Sequence, residues 1–138
     1  MGRIGLAQGI YPLKTAEETI AFGKKLACEI PSNAILALTG DLGSGKTTFV
    51  KGLAMGLNIQ ECVQSPTFVL MNHYPGLIHF DLYRLKTSED FSSLGFEEYF
   101  ESSEILAIEW PDRIQDILPK ETFHLHFSYV NGTREVRI

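Results

Sequence analysis

The chain has 138 residues, a formal net charge of −5, 44% hydrophobic and 21% charged residues. That length supports one domain with a substantial core, the balance excludes wholesale disorder, and no apolar run reaches the ~18 residues that suggest a membrane span. The basic residues, among them Lys14, Lys24, Lys51 and Arg84, are scattered, which argues against independent binding to a nucleic-acid backbone and leaves open a protein partner that handles nucleic acid.

The first residues carry one Arg and no sustained apolar run, a poor secretory signal, and Leu6 stands where a myristoylation motif needs Ser or Thr. Thr15 followed by Glu18 is a capping-box pattern, and Ile20, Leu26, Ala27 and Ile30 recur at helical spacing. A helix is predicted from Thr15 to about Glu29, ending before Pro31. Cys28 and Cys62 are far apart and form no CxxC. They fit a reducing cytosol and read as small buried apolar residues rather than catalytic thiols.

Ala34 to Thr39, AILALT, is a short apolar run suited to a strand buried on both faces. Gly40-Asp41-Leu42-Gly43-Ser44-Gly45-Lys46-Thr47 follows and satisfies GxxxxGK[ST]. Glycines let such a loop turn its N–H groups inward on phosphate oxygens, at the positive end of the next helix. Asp41, Leu42, Gly43, Ser44, Gly45, Lys46, Thr47 and Thr48 are therefore the expected nucleotide-binding residues. Lys46 is expected to reach the β- and γ-phosphates, and Thr47 to ligate Mg²⁺. Phe49, Val50, Leu53, Ala54 and Leu57 mark the buried side of that helix.

Thr67–Tyr74 and Leu77–Tyr83 read as strands joined at Pro75-Gly76, and Glu104–Trp110 as another buried strand. The stretch SEDFSSLGFEEYF is a helical or irregular polar excursion, and Pro111 occupies a first helical position. Phe123, Leu125, Phe127 and Tyr129 alternate with polar residues before Asn131-Gly132, a hairpin signal. The sum is an α/β, three-layer sandwich of the P-loop NTPase type over residues 1–138. Its central sheet is mostly parallel, with helices on both faces and an antiparallel C-terminal hairpin.

Glu109 closes an apolar strand and reads as a second Mg²⁺-site carboxylate, although Asp is usual there, rather than as a strand-end Glu facing solvent. Asp81, in HFDLYR, either orients or deprotonates an attacking water or holds Mg²⁺ through water, or else pairs with Arg84 or caps a turn. His79 reads as structural rather than catalytic. Ser65 and Thr67 flank Pro66, either as a γ-phosphate sensor or as a turn that starts a strand. Trp110 packs in the core, or lines the site or a partner surface. His124 and His126 lack a third ligand and read as a solvated face. No NKxD motif of a GTPase is present, and Arg84 and Arg113 sit in no arginine-rich lid.

GDLGSGKTT, SPTF, HFDLYR and IEW, in this order, together resemble the bacterial TsaE, or YjeE, family of tRNA threonylcarbamoyladenosine biosynthesis ATPases. The resemblance runs from the first helix to the final strand. It implies a slow cytoplasmic ATPase that uses ATP and Mg²⁺, supports turnover of a TsaD–TsaB complex, and meets tRNA only through those partners. By the same resemblance Asp81 is the catalytic carboxylate and Lys46 the phosphate contact. Thr47 and Glu109 serve the metal, Ser65 and Thr67 form a switch segment, and Trp110 is functionally important. Thr15 and Arg134 match places that contact the nucleotide. Pro111 departs from the Ala or Ser common after that tryptophan. A small-molecule kinase and a nucleotide-dependent binding module are the competing readings.

Overall fold

The computed structural model describes residues 8–41, 43–66 and 70–138. Its elements run β1 (Ile10–Leu13), α1 (Ala16–Ala27), β2 (Ile35–Thr39), α2 (Lys46–Gly56), β3 (Met71–Tyr74), β4 (Leu77–Asp81), α3 (Ser88–Ser93), β5 (Ile105–Glu109), β6 (Phe123–Val130) and β7 (Thr133–Arg137). Short 3-10 helices, Phe96–Glu101 and Pro111–Ile114, flank β5. One seven-stranded sheet has the order β1-β7-β6-β2-β5-β4-β3. The neighbours β6, β2, β5 and β4 are parallel. Antiparallel pairings add β7 and β1 at one side and β3 at the other.

Parallel strands covered on both faces read as continuous apolar runs, and β5 is buried along its whole length, β2 up to Leu38. Leu36, Leu38, Ala107 and Leu125 of one face pack under Phe22 and Leu26 of α1 and Phe49 and Leu53 of α2. Ile35, Ile78, Phe80, Leu106 and Ile108 of the other meet Phe91 of α3 and Ile114. The layers are those of a P-loop NTPase-like fold, but the second face is covered by short helical pieces. The polar excursion resolves into α3 and a 3-10 helix, tied down by ring contacts of Phe91 and Phe96 with Phe80. After Pro111 only a four-residue 3-10 helix forms.

One strand was not predicted, and one expectation needs correction. β1 was not legible: it is a four-residue edge strand with only Leu13 buried, too short for a period, and its Pro12 is tolerable only at an edge. Cys28 and Cys62 are both exposed, because α1 ends at Ala27 and leaves Cys28 as its C-cap, while Cys62 follows α2 in a loop.

Thr15 caps α1, its Oγ1 accepting from the Glu18 N–H at 3.0 Å. The Glu18 carboxylate accepts in return from the Lys14 N–H at 2.8 Å, one residue earlier than in the usual capping box. α1 then crosses α2 backbone against backbone. A Cβ on Gly52 would stand 2.2 Å from the Ile20 carbonyl oxygen, and one on Gly23 2.5 Å from that of Phe49. Gly52→Ala is expected to push the helices apart and cost about 1–3 kcal/mol, the range for overpacking. Its thermal unfolding midpoint should drop; an unchanged midpoint would show that the crossing yields freely.

Candidate functional site

At the end of β2 the chain turns through Gly40, whose φ is +141° and whose Cβ would lie 2.5 Å from the Phe127 carbonyl oxygen. Only glycine fits both constraints. Gly45, at φ +106°, opens α2 without a side-chain cap. The amides of the first turn therefore have no intrahelical acceptor and meet the positive end of the helix dipole. Ser44 and Lys46 are buried. Ser44 Oγ has no hydrogen-bond partner among the described residues, a buried polar atom of the kind a ligand satisfies. Lys46 Nζ donates to the Gly40 carbonyl and lies 3.9 Å over the Trp110 ring.

The parallel register sets Asp81 of β4 beside Glu109 of β5, and Glu109 beside Leu38 of β2. Both carboxylates therefore stand at the carboxyl edge of the sheet, where open α/β folds bind ligands. Glu109 is buried and faces the loop: its Oε2 accepts from Thr47 Oγ1 at 3.0 Å and pairs with His79 Nε2 at 2.6 Å. Asp81 is half-buried, and its Oδ1 accepts from the Tyr83 N–H at 3.1 Å. Burial pushes the Asp81 carboxyl above its ordinary 3.8, against the Tyr83 bond. Burial likewise lowers the Lys46 ammonium below 10.5, opposed by Glu109 and Asp81.

These groups surround a cavity of about 360 Å³. Gly43, Gly45, Lys46, Thr47 and Thr48 form its floor, with Asp81, Glu109 and Trp110 at one side and Ser65 and Arg134 also lining it. Arg134 reaches in from β7, donating Nε–H to the Gly43 carbonyl at 3.0 Å. Asp41 and Ser44 line an adjoining cavity of about 520 Å³ with His126 and Tyr129, and the two cavities share Gly43 and Arg134. Thr15 spends its hydroxyl on the helix cap, and the residues of α1 that line the first cavity are Ala16 and Thr19. Sequence reasoning missed Thr19; the cap signal located the helix start but not the side it presents. Leu42 and Thr67 lie outside the described residues.

Trp110, directly after β5, has a left-handed conformation, φ +60°, uncommon for a bulky residue. Its indole meets the Tyr83 ring at 5.0 Å as well as Lys46, so it lines the site. His124 and His126 are exposed; His126 Nδ1 lies 2.6 Å from Thr39 Oγ1. Among the described residues no group of three or more His, Cys, Asp or Glu could hold a metal alone. One hydroxyl and one carboxylate, already bonded as Thr47 and Glu109 are, suit Mg²⁺, which completes its shell with substrate phosphates and water.

The profile of the family described as threonylcarbamoyl adenosine biosynthesis protein TsaE matches residues 13–136. Proteins named tRNA threonylcarbamoyladenosine biosynthesis protein TsaE are similar to the chain over most of its length. That of Treponema pallidum is 37% identical, over 91% of this chain and 96% of its own. That of Borreliella burgdorferi is 38% identical, over 94% and 98%, and that of Bacillus subtilis 42% identical, over 79% and 70%. The crystal structure of Bacillus subtilis YdiB superposes with a TM-score of 0.77 at 32% identity, covering 94% of this chain and 83% of that one.

Proposed function

The chain belongs to the TsaE family, and on that footing we propose that it is an Mg²⁺-dependent ATPase of tRNA threonylcarbamoyladenosine synthesis, slow alone and stimulated by TsaD and TsaB. The relatives are named for that biosynthesis. The observation that carries the ATPase reading is the convergence of Lys46, Thr47, Glu109 and Asp81 on one cavity.

In this reading the amides of Gly43 to Thr48 and the Lys46 ammonium bind the phosphates, and Arg134 and the start of α1 flank the nucleotide. Thr47 and Glu109 hold Mg²⁺, which when bound neutralises charge on the phosphate oxygens. Asp81 accepts a proton from water as the water oxygen bonds to the γ-phosphorus and the bond to the bridging oxygen of ADP breaks. Its raised pKa suits a base. Ser65 borders the γ-phosphate end and responds to nucleotide. The product that matters is the turnover of the TsaD–TsaB complex, so this subunit needs no RNA grip of its own, consistent with its net charge of −5. Among the described residues no helix is long and apolar enough to cross a membrane. From the tRNA modification for which the relatives are named, we assign the protein to the cytoplasm.

Phosphate release from Mg-ATP, measured with the protein alone and with TsaD and TsaB added, tests the proposal. Slow release that rises with the partners is expected. Release indifferent to them, with label passing from ATP to a small acceptor, would replace this reading by a kinase.

A further inference from the structure

His79 is fully buried on β4. Two residues before Asp81 it shares the face of the sheet on which Asp81 stands, and it sits in register beside Ala107, whose methyl leaves an imidazole room to lean toward Glu109. Its Nε2 lies 2.6 Å from Glu109 Oε2, while its Nδ1 is buried with no partner among the described residues. A carboxylate only accepts, so the ring proton belongs on Nε2. An apolar side chain would fill this position without stranding a buried nitrogen, which costs free energy. Space filling therefore does not account for a histidine here; the bond to Glu109 does.

That bond addresses a difficulty created by the sequence. A glutamate has one more rotor than the aspartate usual at such a strand end, and fixing it costs entropy. The Thr47 hydroxyl donates to the same Oε2 at 3.0 Å, so the carboxylate must point one way for Thr47 to be oriented. We propose that His79 is a positioning residue that fixes the Glu109 rotamer, which in turn holds the Thr47 hydroxyl with its lone pairs free for the cation. The inference rests on the reading of Thr47 and Glu109 as the Mg²⁺ pair.

Titration calorimetry with ADP, in EDTA and across a Mg²⁺ series, tests it. In His79→Leu the Mg²⁺ concentration that half-maximally tightens ADP binding should rise about 10–100-fold, the usual cost of losing a partner behind a metal ligand. ADP affinity in EDTA should follow the wild type. His79→Gln carries an amide nitrogen at the reach of Nε2 and should recover most of the Mg²⁺ response. His79→Asn, whose amide stops at the level of Nδ1, should not, and it serves if the leucine variant fails to fold. On a Glu109→Ala background His79→Leu should add nothing. A wild-type Mg²⁺ midpoint in His79→Leu or His79→Asn, or an additive loss in the double variant, would overturn the role of His79 alone. Absence of ADP binding or of any Mg²⁺ response in the wild type would overturn the ATPase reading and this inference with it.

Discussion

Asp81→Asn is expected to bind ATP as the wild type does and to release phosphate about 10²–10⁴-fold more slowly, the range for removing a positioned general base. The substitution keeps the shape of the side chain and an oxygen for the Tyr83 N–H. What it removes is the capacity to take a proton. The position of the carboxylate supports the size of the effect: it lines the cavity beside Glu109 and Thr47 without bonding to the loop. The pH profile gives an independent check. In the proposed mechanism Asp81 acts ionised, and burial holds its pKa above 3.8. The wild-type rate should therefore fall as pH drops through that raised value. The asparagine variant should lose this acid limb. A variant that hydrolyses at the wild-type rate would remove Asp81 from the chemistry.

Lys46→Ala should instead lose nucleotide. A hydrogen bond to a charged group contributes about 1.5–3 kcal/mol, so affinity should weaken by about 10–100-fold, seen by calorimetry with ADP or ATP. The fold should survive. Lys46 is buried, and burial disfavours its charge and lowers its pKa. Removing that charge relieves a desolvation cost in the free protein. A loss of binding accompanied by a lower unfolding midpoint would mean that Lys46 supports the loop rather than the ligand.

Much of this site was legible because its signals are local. Gly40 to Thr47 are contiguous, and both the glycines and the strand-loop-helix context follow from the spacing. The strand ends at Asp81 and Glu109 were readable because parallel strands leave apolar runs that stop at a carboxylate. Their proximity was not readable: it depends on β4 and β5 being neighbours in register, a pairing across nearly thirty residues of chain that no period encodes (Asp81 beside Glu109). Arg134 is a similar case. Its bond to Gly43 needs β7 to fold back beside β6, and only the family resemblance pointed to it. His79 was read as structural because its polar contact is made by another strand. β1 escaped because four residues hold no pattern, and the helical excursion was vague because aromatic packing, not amphipathic period, determines it.

The tryptophan at the end of β5 has a practical consequence. It is the only one in the chain, and an ammonium group rests 3.9 Å above its ring. In the proposed function that same ammonium is the group that phosphate attracts. Whatever draws Lys46 away from the indole alters the field at the chromophore, and excitation at the red edge of the indole band selects it over the five tyrosines. The molecule thus contains its own optical gauge of loop occupancy. On that reading, rapid-mixing fluorescence should follow nucleotide arrival, exchange and the influence of the proposed partner subunits in real time, on the unlabelled protein.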